Sequence, residues 1–338
     1  MKDINVLVYF RNVLNEVKKI TEKTNKYSVL IIQQQPSNTD SNPVFPMIRE
    51  SLSNIIAFVC VSNEYYIEDI IAESRGVIDA IILDNTRKRE NSDNIIRVVN
   101  ESSLKNNLKL FVYSDFDTWA SSAVNFLEIK EQLHLSNKRI LLVGRNCLAT
   151  RVLLKLIDFG VAVYLNPLDY PENTFPYIDG ATIQIESSLI KWVKNETNYD
   201  ILLGCSIFSR YSNISQMKLY KFQSIYDIGI GNFDINFLSG HRTSGCNNIF
   251  RSDDRTGISS IVLGLMETDY LIKHSIGRKT ICGINLVSGG SLGLDGDIVV
   301  DNIEDPEKII GVANGEGGFK KELSKNDLKN IEILQSII

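Results

Sequence analysis

The side chains best suited to chemistry crowd into one polar stretch, residues 239–257, which reads S-G-H-R-T-S-G-C-N-N-I-F-R-S-D-D-R-T-G. It holds His241, Arg242, Arg251, Asp253, Asp254 and Arg255. A guanidinium fork grips a carboxylate or phosphate through paired N–H donors. His241, Arg242 and Arg255 are therefore candidate substrate contacts, and Arg251 and Asp254 candidate catalytic groups. Upstream, Asp115 and Asp117 follow an apolar run at the head of a helical pattern. A carboxylate placed there can move a proton on a reacting oxygen or nitrogen, or can simply cap the helix; the sequence leaves both roles open.

A second constellation is Val143-Gly-Arg-Asn-Cys-Leu-Ala149. Gly144 and Ala149 occupy the first and third small positions of the G-x-G-x-x-G/A turn, with Asn146 at the second. Such a turn holds a pyrophosphate on backbone N–H groups at a helix N-terminus. Asn accepts a left-handed backbone better than most residues, so the turn survives the exchange. Cys147 lies near the first turn, where a thiolate is stabilised, but no His or Asp lies near it in sequence. No metal site is expected, because His134, His241 and His274 are scattered and no C-x-x-C pair occurs.

These residues need elements to position them. Apolar runs at 140–143 and 161–165 flank a helical pattern through Leu148, Val152, Leu153, Leu156 and Ile157, which is one βαβ unit. Before it, residues 4–10, 28–33, 55–61, 79–83 and 108–113 read as strands. Residues 13–20, 67–72 and 95–104 read as helices between them, the alternation of a parallel sheet covered on both faces. Residues 33–43 read as a long loop, and residues 117–133 as a long helix connecting two domains. After the βαβ unit, strands are expected at 182–185, 200–203 and 224–230, with helices at 187–194 and 214–220. Residues 239–257 read as an extended loop, and 258–272 as a helix returning to the first domain. The tail reads as strands at 280–287, 297–300 and 309–312, with an Asp295-Gly296 hairpin turn between the first two, then a helix at 325–335. The glycine run 287–297 reads as a turn rather than part of a site, and 314–319 as a second loop.

The fold class is α/β. A parallel α/β domain (1–116) is followed by a connecting helix (117–137), a Rossmann-like doubly wound domain (138–275) and a β-rich extension (276–338). At 338 residues, 43% hydrophobic, the chain can bury such cores. A net charge of −5 and no basic stripe argue against nucleic acid or an anionic membrane as partner. Five dispersed cysteines, no leader pattern and no membrane-length apolar run give the expectation of a cytoplasmic protein.

Taken together, the segment from about 115 to 232 resembles the two-domain dehydrogenases of the methylenetetrahydrofolate dehydrogenase and shikimate dehydrogenase type. Val143-Gly-Arg-Asn146 is similar to the V-G-R-S turn of the folate enzymes. Asp200-Ile-Leu-Leu-Gly-Cys-Ser206 and Ile225-Tyr-Asp-Ile-Gly-Ile-Gly231 are similar to their A-D-I-V-x-A-x-G and V-I-D-V-G-I-N segments. Ser114-Asp-Phe-Asp117 resembles the N-T-D-x-x-G segment of the shikimate enzymes, whose Asp belongs to a Lys and Asp pair. A Y-x-x-x-K motif and a G-G-V-G-P segment are missing, so no catalytic lysine follows from the resemblance.

The resemblance implies NAD or NADP bound by Gly144, Arg145, Asn146, Ala149, Asn166, Cys205, Gly229 and Gly231. It implies hydride transfer to or from a small polar, carboxylated keto or imino metabolite in the interdomain cleft. Asn166-Pro167 stands where an acidic residue would bind the ribose 2′-OH, with Asp169 close behind, and Arg145 is placed to meet a phosphate instead. NAD and NADP are thus level. Two alternatives stay open: a transferase using S-adenosylmethionine, and a non-catalytic metabolite-binding or partner subunit. A homodimer is compatible with each.

Overall fold

The computed structural model describes residues 4–35, 42–88, 91–132, 135–166, 169–170, 174–177, 181–193, 198–206, 220–229, 231–252 and 254–338. Compact packing divides the chain into two units, Met1–Val262 and Leu263–Ile338.

The first unit opens with helix α1 (Ile4–Thr24), followed by β1 (Tyr27–Gln34), β2 (Arg49–Glu50), β3 (Asn54–Val61), α2 (Ile67–Ser74), β4 (Ala80–Asp84), α3 (Ser92–Lys105) and β5 (Lys109–Tyr113). The strand expected at residues 4–10 is the first turns of α1. Val6, Phe10, Val13, Leu14 and Val17 are buried while Val8 and Tyr9 are exposed, a spacing of three and four that a strand cannot present to one core. Among the described residues the sheet runs β2-β3-β1-β4-β5. It is parallel apart from the two-residue edge strand β2. β1, β3 and β4 are buried on both faces, as their unbroken Val and Ile runs require.

Helix α4 (Asp115–Lys130) leads to β6 (Ile140–Val143), α5 (Cys147–Asp158), β7 (Val163–Leu165), β8 (Thr174–Pro176), β9 (Thr182–Gln184), β10 (Ile190–Trp192), β11 (Ile201–Ser206), β12 (Ser224–Gly229), α6 (Ile235–Thr243), β13 (Asn248–Ser252) and α7 (Arg255–Tyr270). The second sheet runs β10-β7-β6-β11-β12-β13 among the described residues, every pairing parallel. Counted within the sheet this is 3-2-1-4-5-6, the strand order of dinucleotide-binding domains. The α/β, Rossmann-like fold rests on that order.

Three expectations fail here. The helix expected at 187–194 is the edge strand β10, because a short segment beside the open edge of β7 completes its hydrogen bonds by pairing. The strand at 182–185 does not join the main sheet; β9 pairs antiparallel with β8 in a separate ribbon. The extended loop at 239–257 consists of the end of α6, β13 and the start of α7, because Asp234 caps α6 by accepting from Phe237 N and β13 finds β12 as its neighbour. The helix expected at 214–220 lies outside the described residues except for Tyr220, and so do Asp253, His134, Pro167, Ile230 and residues 36–41 of the expected loop.

The second unit holds β14 (Arg278–Ile281), β15 (Ile284–Ser288), β16 (Ile298–Val300), β17 (Ile309–Val312) and α8 (Lys325–Gln335). Leu286, Ile298, Val300, Val312 and Leu334 form its core. Ser324 and Asp327 start α8 with a reciprocal capping box. The hairpin expected at Asp295-Gly296 is absent, since β15 and β16 pair parallel. The tight turn is instead Cys282-Gly283 between β14 and β15, where both residues adopt positive φ.

Candidate functional site

Strands of a parallel sheet point their C-terminal ends the same way, so the residues that end each apolar run converge. In the first sheet Gln33 pairs in register with Cys60 and Asp84 with Tyr113. Ile32 opposite Leu83 sets β1 and β4 side by side just below them. Lys88, four residues past Asp84, turns back over this row. Its ammonium lies 2.7 Å from Asp84 and 2.5 Å from Asp115, with side-chain exposures of 5, 0 and 5% for the three. Asp84 also accepts from Thr86 N at 2.9 Å.

Burial alone would lower the Lys88 pKa, but Asp115 and Asp84 on either side, with their hydrogen bonds, raise it above its ordinary value. Burial raises the Asp84 carboxyl despite Lys88, and burial raises the Tyr113 phenol. Burial also pushes the Cys60 thiol up to about 11. Lys88 is therefore an ammonium at neutral pH. Two of its three N–H donors are engaged by these carboxylates.

Helix α4 is capped by Ser114, whose side chain accepts from Asp117 N, so neither aspartate is needed as the cap. The two then diverge. Asp115 joins Lys88, while Asp117 is 56% exposed and pairs with Arg151 at 2.7 Å. The amide of Gln33 ties the cluster together, donating to Tyr113 Oη at 3.0 Å, Asp115 Oδ1 at 3.2 Å and Asp254 Oδ2 at 3.2 Å. Asp254 Oδ1 receives Arg49 Nη1 at 3.2 Å, and the Arg49 guanidinium lies over the Phe58 ring, 4.5 Å from its centroid. Asp254 stands between β13 and α7, so the end of the second sheet meets the C-terminal edge of the first. Trp119 Nε1 holds that junction by donating to Ser252 O at 3.2 Å. Gly257 lets α7 approach α4: a Cβ there would sit 2.1 Å from Ser122 Oγ.

At the C-terminal end of the second sheet, β6 passes into α5 through Gly144, which has φ +117°. A Cβ on Gly144 would lie 2.1 Å from Cys205 O, and one on Gly229 would lie 2.3 Å from Ser206 O. Both glycines are thus required where β6, β11 and β12 end beside one another, at the point where strand order reverses. Asn146 caps α5, its Oδ1 accepting from Ala149 N at 2.9 Å and its Nδ2 donating to Cys205 O at 2.6 Å. Arg145 in the turn is exposed. The turn fits a pyrophosphate in its left-handed glycine, its helix start and its nearby cation, and departs in that Asn146 occupies the Ala149 donor.

Asn166, directly after β7, is buried, and its carbonyl accepts from buried Asp169 N at 3.0 Å. Gly231 N donates to Asp227 Oδ2 at 3.1 Å. Asn232 Oδ1 beside it is buried with no hydrogen-bond partner among the described residues.

Gly144, Asn146, Ala149, Cys205 and Gly229 therefore come together, as do Asp115 and Asp254. The remaining residues of the polar stretch scatter. His241 is buried on α6, tilted against Phe237 and Phe222 with ring centroids 4.3 and 5.3 Å away, and burial lowers its pKa. It lines a cavity of about 860 Å³ with Tyr220, Gln223, Asn236 and Asn248, at the N-terminal ends of β12 and β13, opposite the glycine turns. Arg242 is exposed on α6 and Arg251 is exposed on β13. Arg255 opens α7, and its side chain lies outside the described residues. Once a helix and a strand replace the loop, the stretch cannot gather these groups at one point. Lys88, Asp84, Gln33 and Arg49 were not singled out from sequence. A polar residue closing each apolar run, Gln33 after Ile32 and Asp84 after Leu83, is the signal for two of them.

No family model matches the chain. A search of curated proteins by similarity also finds no match. Several solved structures match parts of the chain, each with a TM-score below 0.5. L-tryptophan dehydrogenase from Nostoc punctiforme is 9% identical with a TM-score of 0.36, over 71% of this chain and 75% of that one. Plasmodium falciparum glutamate dehydrogenase is 9% identical with a TM-score of 0.39, over 73% and 64%. Anabolic ornithine carbamoyltransferase from Campylobacter jejuni is 8% identical with a TM-score of 0.36, over 77% and 95%. Function must therefore be argued from this chain's own residues. Among the described residues no helix is long and apolar enough to cross a membrane, and no group of His, Cys, Asp and Glu is arranged to hold a metal ion.

Proposed function

We propose that the chain is an NAD(P)-dependent oxidoreductase that moves a hydride to or from a small polar, carboxylated keto or imino compound between its two parallel sheets. The observation that carries this is the buried Lys88–Asp115 pair at the C-terminal edge of the first sheet, linked through Gln33 to Asp254 at the end of the second. The resemblance to the shikimate-type enzymes implies an Asp of a Lys and Asp pair within Ser114–Asp117 without placing the lysine; of the two aspartates there, Asp115 is the one that meets a buried lysine.

In this reading residues 1–116 form the substrate side. The cofactor would be held by Gly144, Arg145, Asn146 and Ala149 at the pyrophosphate, Asn166 near the ribose, and Cys205, Gly229 and Gly231 near the nicotinamide. The cofactor supplies the hydride chemistry. The chain supplies the proton: Lys88, held as an ammonium, uses its third N–H to bond the reacting oxygen or nitrogen and to donate to it. Asp84 and Asp115 keep the ammonium in place and favour its reprotonation. Proton transfer by a positioned group of this kind contributes about 10²–10⁴-fold.

The test is a screen of 2-oxo and imino acids with NADH and NADPH, followed by Lys88→Met on any active pair. Turnover should fall by roughly 10²-fold or more while cofactor affinity is unchanged. Full activity of Lys88→Met would remove the proposal. Saturable binding of S-adenosylmethionine without NAD(P)H binding would favour the transferase alternative.

A further inference from the structure

We infer that Arg49 is the anchor for a substrate carboxylate, an inference that rests on the proposed function for its substrate but not for its anion. Neither Arg242 nor Arg251 has a contact with the Lys88 cluster among the described residues; Arg49 is joined to it through Asp254, from an edge strand on the other side of the sheet.

Three features set it apart from a plain salt bridge. First, its guanidinium carbon lies over the buried Phe58 ring, 4.5 Å from the centroid, so the ring supports the charge before any ligand arrives. Cation–π contact stabilises the charge without consuming a donor. Second, it has five N–H donors, and only Nη1 is bonded, to Asp254 Oδ1 at 3.2 Å. The other donors have no partner among the described residues. Third, at 29% its side chain is the most exposed member of the charged cluster, against 13% for Asp254 and 5% for Lys88. A solute reaches Arg49 before it reaches the buried pair.

A continuous line of contacts joins Arg49 to the proton donor. From Arg49 the contacts run to Asp254, then to the Gln33 amide, then to Asp115 and Lys88. A carboxylate on the free edge of the guanidinium would thus lie on the same connected polar network as the proton donor, joined to it through Asp254, Gln33 and Asp115. Asp254 competes for the same charge. It would hold Arg49 in position when the site is empty and limit the affinity for anions.

The experiment is a calorimetric titration of the full chain with oxalate, a two-carbon dicarboxylate, with its uncharged diamide oxamide as control. Wild type, Arg49→Met, Arg49→Lys and Asp254→Asn are compared, and NADH and NADPH are titrated separately. The anchor predicts that oxalate binds wild type and oxamide does not. It predicts a loss of roughly tenfold to a hundredfold for Arg49→Met, the scale of hydrogen bonds between charged groups. Arg49→Lys should retain part of the affinity because it keeps charge without the fork. Asp254→Asn should bind oxalate more tightly, because the competing carboxylate is gone; a merely structural salt bridge gives no such gain. Should Arg49→Met fail to fold, the last two variants decide the matter. Equal oxalate affinity in wild type and the Arg49 variants overturns the anchor, as does no binding to wild type. NADPH binding without Arg49-dependent oxalate binding removes the anchor and leaves the oxidoreductase proposal. Arg49-dependent oxalate binding without binding of either NADH or NADPH does the reverse.

Discussion

Replacing Lys88 by Met is the sharpest perturbation of stability that the structure offers. The ammonium is 5% exposed between Asp84, fully buried, and Asp115, 5% exposed. Removing it leaves two carboxylates facing each other away from water. Breaking a buried pair by deleting one partner costs about 3–5 kcal/mol. At about 2–4 °C per kcal/mol for a unit of this size, the melting temperature should fall by roughly 6–20 °C. The pH dependence gives a second reading. Without the cation, the folded pKa of Asp84, already raised by burial, lies still further above its unfolded value near 3.9. Such a group contributes stability below the unfolded pKa and loses it as pH rises through the folded one. Lys88→Met should therefore recover toward wild type as pH falls from 7 to about 4.5, and Asp84→Asn added to Lys88→Met should recover part of the loss at pH 7. Wild type should show the complementary effect: the raised Lys88 pKa gives stability that is full below its ordinary 10.5 and declines above it. The assay is urea unfolding followed by circular dichroism from pH 4.5 to 11. A Lys88→Met protein within about 1 kcal/mol of wild type at pH 7, or a gap independent of pH, would refute the placement of the lysine between two buried carboxylates.

Further consequences are simpler. Gly144→Ala puts a Cβ 2.1 Å from Cys205 O on a backbone at φ +117°; strain of at least about 1–3 kcal/mol is expected, seen as a lowered urea midpoint. Asn146→Ala removes the α5 cap and should cost about 1 kcal/mol, again by urea unfolding, with no loss if another side chain takes over the cap. With a thiol reagent at pH 8, Cys282 is exposed and should react first, while Cys60, raised to about 11 by burial, should react only on unfolding; mass spectrometry of the labelled peptides decides. Given the proposed cofactor, Arg145→Ala should weaken NADPH by about tenfold and leave NADH unchanged, measured by fluorescence titration.

Much of this architecture was legible because it is local. Uninterrupted runs such as Ile55 to Val61 and Ile81 to Leu83 could only be strands buried on both faces, and 325–335 carries its own cap. Gly144, the cap and the helix are likewise set within six residues, but Asn146 is extended at φ −156° rather than left-handed, and it serves the turn as the helix cap. What failed depended on partners. Residues 4–10 suit either strand or helix until the core chooses alternate turns, and β10 is a strand only because β7 has an open edge. Likewise β13 becomes a strand only beside β12.

The candidate site divides along the same line. Asp115 and Asp254 were recognisable by chemistry, but their neighbour Lys88 lies in Arg87-Lys-Arg89, a run that in sequence looks like solvated loop charge. Only the side-by-side ends of β1, β4 and β5 bring it under two carboxylates. Arg49 is similarly silent. Its role depends on Phe58, nine residues on in sequence, and on Asp254, two hundred residues beyond.

The most direct measurement is calorimetric titration of NADH and NADPH into the purified chain, alongside Gly144→Val. The account predicts saturable binding of at least one cofactor to wild type, with stoichiometry near one, and its loss in Gly144→Val. If neither cofactor binds wild type, or if Gly144→Val remains folded and binds equally well, the nicotinamide site is not where the strand order reverses and the oxidoreductase proposal fails.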